Sequence, residues 1–241
     1  MISVNNVRNT VLFFLNKNNR GYITPLEFDA FCKMAQMEIF EQLFYDLNAY
    51  LNKKNKRLTN TEYANLPKNI RQQIDNFATY TTTLSFTQSS GVWSYVGTDK
   101  IYRYIGMSVV YPNGKKVDCD ELMKSIWNNV VNSELNKPSL VFPVFRKFND
   151  AFEVNPVLGT GYRAELFFIR TPKDPKWTYI TVNGDPVYNA SAGDKQDIEL
   201  DESLYAKFVT KVLAYSGLSI REAEVVQAAN QEEIKNFNTK Q

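Results

Sequence analysis

The chain turns on Asn16-Lys17-Asn18-Asn19-Arg20-Gly21-Tyr22-Ile23-Thr24-Pro25-Leu26-Glu27-Phe28 and on the run that follows it, DAFCKMAQMEIFEQLFYDLNAYLN, up to Asn52. Residues 16–21 are too polar to bury, and Gly21 tolerates the positive φ of a tight reversal. Thr24-Pro25-Leu26-Glu27 has capping-box spacing. The Thr24 hydroxyl accepts from a free helical amide, Pro25 fills the first helical position, and Glu27 reaches back to the Thr24 N–H. Ile23 and Phe28 are placed to staple that cap. Beyond it Phe28, Cys32, Ala35, Ile39, Leu43, Leu47 and Tyr50 recur at helical spacing, and Phe31, Met37, Phe40, Phe44 and Leu51 make a second apolar stripe. One stripe joins a core; the second asks for a further layer, in the same domain or in another subunit. All-round apolar helices usually lie deep in their own domain, which favours the first alternative. Under the second, Met37, Phe40, Phe44 and Leu51 are the candidate subunit-interface residues.

Upstream, Val7, Val11, Leu12, Phe14 and Leu15 predict a short amphipathic helix from about Ser3, so residues 3–52 read as a helical hairpin. Downstream, past the basic link Lys53-Lys54-Asn55-Lys56-Arg57, a short helical piece over 62–77 closes an N-terminal helical region, residues 1–78. Composition then shifts to β-branched and aromatic residues. Strands are predicted over 80–86 and 102–111, followed by an Asn113-Gly114 type I′ turn. Asp118-Cys119-Asp120-Glu121 has a second capping-box spacing and opens a helix near 119–135. Irregular strands over 138–165 precede a buried strand at 166–170. Residues 177–182 and 186–188 form a hairpin about Asn183-Gly184, with Pro186 at an edge. A last strand at 197–200 completes a mostly antiparallel β-rich domain, 79–200. Asp201 caps a helix that Gly217 ends in the αL conformation. Ser219-Ile220-Arg221-Glu222 opens a final helix, so 201–241 read as C-terminal helices and tail. The thin stripe of that helix, Ala223, Val226 and Ala229, is a further candidate subunit contact. The expected fold class is therefore α+β: an N-terminal helical hairpin with one long helix, a central mostly antiparallel β domain with one inserted helix, and a C-terminal helical pair.

Composition bounds what such a fold can do. With 241 residues, 44% hydrophobic and 22% charged, the chain is an ordinary globular sequence with enough apolar residues for a core. No run approaches a membrane-spanning length, and Met1-Ile2-Ser3-Val4-Asn5-Asn6 has neither the basic nor the apolar part of a secretory signal. Cys32 and Cys119 are too few for a disulfide framework and are expected as reduced, buried thiols. A net charge of +2 exerts no global pull on nucleic acid or membrane. The chain contains no histidine, which removes Ser-His-Asp and Cys-His catalysis, histidine metal ligation and histidine pH switching together. The expectation is a protein that is not an enzyme and carries no cofactor.

The remaining motifs have a structural and a chemical reading each. Asn16-x-Asn18-x-Arg20-Gly21-x-Ile23-x-x-x-Glu27 has the outline of a calcium loop, but Arg20 stands where a ligand is needed and Glu27 is the one carboxylate, better used in the cap. Asp118, Asp120 and Glu121 cluster without a partner motif, and helix starts favour acids anyway. Gly159-Thr160-Gly161 lacks the Gly-Lys-Ser/Thr ending of a phosphate loop and reads as a turn. Lys53, Lys54, Lys56 and Arg57 are candidate DNA-backbone contacts, although most such runs are solvated linkers. Trp93, Tyr95, Tyr102, Tyr104, Trp177 and Tyr179 could form an aromatic surface for sugars or bases, although strand aromatics mostly fill cores.

Three stretches together carry a family resemblance: Asn18-Asn19-Arg20-Gly21-Tyr22-Ile23-Thr24-Pro25-Leu26-Glu27-Phe28, Phe168-Ile169-Arg170-Thr171-Pro172-Lys173-Asp174-Pro175-Lys176-Trp177-Thr178-Tyr179, and Ser216-Gly217-Leu218-Ser219-Ile220. In this order they resemble virion structural proteins of crAss-like tailed bacteriophages, and more narrowly the ring proteins of the head–tail connector. The resemblance implies a homo-oligomer, a dodecameric ring below the portal vertex, contacting the portal protein and neighbouring neck ring or tail proteins. It further implies packaged double-stranded DNA in the channel, synthesis in the host cytoplasm, residence in the virion neck, and no reaction. Competing readings are a nucleic-acid-binding accessory protein that depends on residues 53–57, and a carbohydrate-binding host-recognition module that depends on exposed sheet aromatics.

Overall fold

The structure, a computed structural model, describes residues 1–16, 22–52, 66–81, 84–87, 91–148 and 151–219. It is mixed α+β, in the order α1 (Val4–Asn16), α2 (Pro25–Leu51), α3 (Leu66–Asp75), β1 (Ala78–Thr81), β2 (Leu84–Thr87), β3 (Val92–Tyr95), β4 (Ile101–Val110), β5 (Lys116–Glu121), α4 (Lys124–Val131), β6 (Val144–Phe148), β7 (Ala151–Asn155), β8 (Arg163–Arg170), β9 (Tyr179–Val182), β10 (Asp185–Tyr188) and α5 (Tyr205–Ser219). The chain divides into two compact units. One joins Met1–Ile74 to Pro172–Gln241, and the other is Asp75–Thr171. The three consecutive segments expected from composition are thus replaced by a helical unit made from both ends of the sequence and a sheet unit between them. The cause lies in residues 172–200, which read as part of the β domain but pack with the N-terminal helices.

In the helical unit the capping box forms as its residues dictate. The Glu27 N–H donates to the Thr24 hydroxyl at 3.3 Å, and the Thr24 N–H donates to the Glu27 carboxylate at 3.0 Å. That bond is the first cause that holds the Glu27 pKa below its ordinary value. Phe28, Cys32, Ala35, Ile39 and Leu43 are buried along α2. α5 packs on α2 and α1 and contributes Phe208, Val209 and Val212 to the same core. Gly217 does not end α5; the helix runs on to Ser219, and no positive φ occurs there. The strand expected at 197–200 is a single bridge, Ile2 with Ile198, which closes the core beneath α1.

The sheet unit holds an eight-stranded sheet in the order β1-β8-β4-β5-β6-β7-β3-β2, antiparallel throughout except for the β5–β6 pair. It curls strongly: β8 is second in the order and β3 seventh, yet the Phe168 and Tyr95 rings meet across the core at 5.4 Å. Met107, Cys119, Phe145, Phe152, Leu166 and Phe168 fill the interior. Outward positions carry the polar partners: Lys116 pairs with Glu165 at 2.6 Å and Ser108 with Asp118 at 2.7 Å.

Three local expectations fail in this unit. Residues 80–86 are two strands, β1 and β2, at opposite ends of the order. Residues 118–121 belong to β5, where Cys119 points inward opposite Met107 while Asp118 and Asp120 face out. That alternation of period two overrides the capping-box spacing, and α4 starts later, behind Met123, with no side-chain cap. Asn113-Gly114 is not a type I′ turn. In a two-residue hairpin the residue before the turn must donate its N–H across the strands, and Pro112 has none. The Tyr111 N–H bonds the Lys115 carbonyl instead, at 2.8 Å, with Gly114 alone at φ 82°.

Candidate functional site

Residues 172–200 form a strap laid on α1 and α2, and they contain most of the second resembling stretch. Gln36 anchors it. Helical spacing puts Gln36 on the buried face of α2 between Cys32 and Phe40, and its amide makes the burial tolerable. Its NH2 donates to the Lys173 carbonyl at 2.7 Å, and its oxygen accepts from the Glu199 N–H at 3.0 Å. Each such backbone group left unpaired in the interior would cost about 1–3 kcal/mol. Polarity hid this residue from a search for apolar stripes, because its burial depends on backbone groups that arrive from Lys173 and Glu199.

A second anchor is aromatic and charged. The Trp177 indole N–H donates to Asn5 Oδ1 at 3.1 Å, and its backbone N–H donates to Asp29 Oδ1 at 2.8 Å. The Arg8 guanidinium lies 3.9 Å from the Trp177 ring centroid and 5.6 Å from that of Phe28, buried with its Nη1 unpartnered. Burial lowers the Arg8 pKa against the opposing effect of Tyr22 and Asp29. Burial likewise raises that of Asp29, opposed by the Trp177 N–H and by Arg8. A cation stacked on an indole and faced by a carboxylate is a clamp that holds the strap to α1 and α2. Lys33 adds an exposed ion pair with Asp174 at 2.7 Å. Beyond Trp177 the strap rises into the β9–β10 hairpin, with Tyr179 and Tyr188 stacked on the indole at 5.6 and 6.0 Å.

The expected site residues fall out as follows. Phe40 is fully buried, edge to face with Phe44 at 5.2 Å, so it belongs to the core of its own unit and offers no surface to a neighbour. Met37 and Phe44 are half-buried, and Leu51 is exposed at the end of α2. Lys53, Lys54, Lys56 and Arg57 lie outside the described residues, as do Ala223, Val226 and Ala229. Trp93 and Trp177 are buried, while Tyr95 and Tyr104 pack their rings on Phe168, Phe145 and Phe152. These four aromatics therefore pack into cores, whereas Tyr102 is half-buried and Tyr179 exposed. Cys32 and Cys119 are free, buried thiols; burial pushes the Cys119 pKa up to about 12 and that of Cys32 well above its usual value. Gly159 and Tyr162 close the turn expected at 159–161.

No local pattern in residues 138–165 marks the exposed apolar turn at 139–142. Ser139 and Phe142 exchange backbone hydrogen bonds at 3.3 and 3.1 Å, and the Tyr111 hydroxyl bonds the Leu140 carbonyl. Leu140, Val141 and Phe142 are thereby held in solvent, Phe142 at 72% exposure, with Leu135 nearby in sequence at 96%. Among the described residues no cluster of potential metal ligands occurs and no helix is long and apolar enough to cross a membrane. No protein-family model matches the chain, and no curated protein matches it either.

Proposed function

We propose that the chain is a structural virion protein that assembles as a ring in the head–tail connector of a tailed bacteriophage. In this role it joins the portal to downstream neck or tail proteins around the channel for packaged DNA, and it catalyses nothing. The resemblance of residues 18–28, 168–179 and 216–220 to connector ring proteins of crAss-like phages is the first support. The observation that carries the reading is the apolar surface held out at the tips of elements. Leu140, Val141 and Phe142 occupy a tight turn where Gly, Asn or Asp would serve the backbone better, and in the helical unit Phe13, Phe14, Tyr22 and Leu26 are exposed near the end of α1 and the start of α2. Scattered apolar residues need no explanation, but consecutive ones fixed at a tip are surface for protein partners. A ring subunit, with neighbours on either side and a further component above and below, has places to bury them.

An antibody raised against residues 230–241 and located by immunogold electron microscopy on intact and disrupted particles tests this. Gold at the neck is the expected result. Gold at another part of the particle overturns the connector assignment, and absence of the chain from particles by mass spectrometry overturns the virion role altogether.

A further inference from the structure

The β9–β10 hairpin leaves one backbone edge and one apolar face in solvent. Asn183 at φ 53° and Gly184 at φ 94° make a type I′ turn, with register Val182↔Asp185, Thr181↔Pro186, Ile180↔Val187 and Tyr179↔Tyr188. In a two-residue hairpin the pair flanking the turn exchanges both backbone bonds, and bonded and non-bonded pairs then alternate. Val182 with Asp185 and Ile180 with Val187 are the bonded pairs. The pattern continues to Asn189, whose N–H donates to the Thr178 carbonyl at 2.9 Å. The N–H and C=O groups of Tyr179 and Thr181 therefore point away from β10, along a strand exposed over its whole length. On the other edge, Pro186 has no N–H to present, so β10 is blunted while β9 is open. The two faces differ as well. Tyr179 and Tyr188 stack on Trp177, whereas Ile180, Val182 and Val187 stand on the opposite face at 51%, 46% and 46% exposure.

A two-stranded hairpin is marginal in water; three or more strands with an apolar face are not. What completes this one must be an extended backbone with donors and acceptors two residues apart and apolar side chains on one face. Strand β9 itself meets every one of these requirements. We infer that β9 pairs edge to edge with β9 of a second copy of the chain, antiparallel about a two-fold axis at Ile180. Tyr179 exchanges both backbone bonds with Thr181 of the partner subunit, and Thr181 does so with Tyr179 of the partner subunit. Ile180 then faces Ile180 of the partner subunit as a non-bonded pair, with Cα atoms about 4.5 Å apart. The result is a four-stranded sheet, β10-β9-β9-β10, with Ile180, Val182 and Val187 of both copies on one face. The contact is self-complementary and closes after two copies. It does not propagate round a ring, so it describes the free protein and does not rest on the connector reading. It is also small, which makes it a readily exchanging dimer.

Disulfide trapping in the full chain reads this register directly. Ile180→Cys places two thiols opposite each other within bonding reach, whereas Thr181→Cys places its thiol on the other face and opposite Tyr179. Cys32 and Cys119 are buried and stay silent under mild oxidation. Covalent dimer linked through the introduced cysteine is expected to form at least roughly tenfold faster for Ile180→Cys than for Thr181→Cys, because pairing raises the local thiol concentration. Adding Thr181→Pro to Ile180→Cys removes a donor from the shared ladder and should bring the rate down to the Thr181→Cys level, with an unchanged circular dichroism spectrum to show that the fold is kept. Equal rates at 180 and 181, or an Ile180→Cys rate indifferent to Thr181→Pro, overturn the pairing.

Discussion

Glu38 shows how one residue couples two helices. Its carboxylate accepts from Lys211 Nζ at 2.8 Å and from the Tyr215 hydroxyl at 2.7 Å, tying α2 to α5. The Lys211 side chain is 7% exposed and that of Glu38 49%, so the ammonium is the group that depends on the pair. Burial pushes the Glu38 pKa up, but the bonds from Lys211 and Tyr215 outweigh it and hold it below the ordinary 4.5. A depressed folded pKa means stability that is present above the unfolded value and lost as pH falls through the folded one. Glu38→Gln keeps an acceptor oxygen but removes the negative charge that Glu38 sets against the buried ammonium. With Glu38 half exposed, the expected loss at neutral pH is about 1 kcal/mol. The gap is present at neutral pH and closes in acid, as pH falls through the depressed folded pKa of wild-type Glu38. Urea midpoints of the two proteins at both pH values check this, and a gap that persists in acid contradicts it. Gln36 and Arg8 make the same point about legibility. Nothing in a stripe of apolar residues says which polar side chain will be buried beside it, because that depends on which backbone or ring arrives from the other end of the chain.

At the scale of the element, α2 is the piece that needed least from the rest of the fold. Its cap, its first-turn proline and its apolar spacing are local, and all are realised. Thr24→Ala removes the acceptor for the Glu27 N–H and is expected to cost about 1 kcal/mol, read as a lower urea midpoint at unchanged m-value; no shift would mean that packing alone fixes the helix start. The two Asn-Gly turns are instructive in their difference. Asn183-Gly184 adopts the type I′ conformation, while Asn113-Gly114 does not, because Pro112 cannot donate across the strands. The signal was in the sequence, one residue upstream of the dipeptide. At 118–121 a capping-box spacing fell within a strand, since residues alternating inward and outward bury more apolar surface in the curled sheet than a helix start would there.

At the scale of the molecule, Phe208 and Val212 of α5 are buried in the core of the helical unit. Truncation after Ser219 leaves both in place and should move the melting temperature by less than about 4 °C. Under the connector reading the same truncation lowers incorporation into particles by on the order of tenfold, through loss of a contact with a neighbour. Comparing truncated and full-length chain by mass spectrometry of purified particles separates the two effects. Normal incorporation removes residues 220–241 from the assembly contacts, and a collapse in melting temperature makes them part of the fold.

By itself the sequence determined the α+β class, the long capped helix, the buried strand at 166–170, the hairpin at 183–184 and the two buried thiols. These depend on short-range periodicity and on the conformational limits of Thr, Pro, Asn and Gly. Tertiary structure alone decided that residues 172–200 belong with the N-terminal helices, that residues 80–86 split between opposite ends of one sheet, that Phe40 is core, and that Gln36 and Arg8 are buried. Each of these turns on a partner far away in sequence, where the free energy comes from area removed from water and polar groups paired on meeting, and no local pattern records which segment will be met.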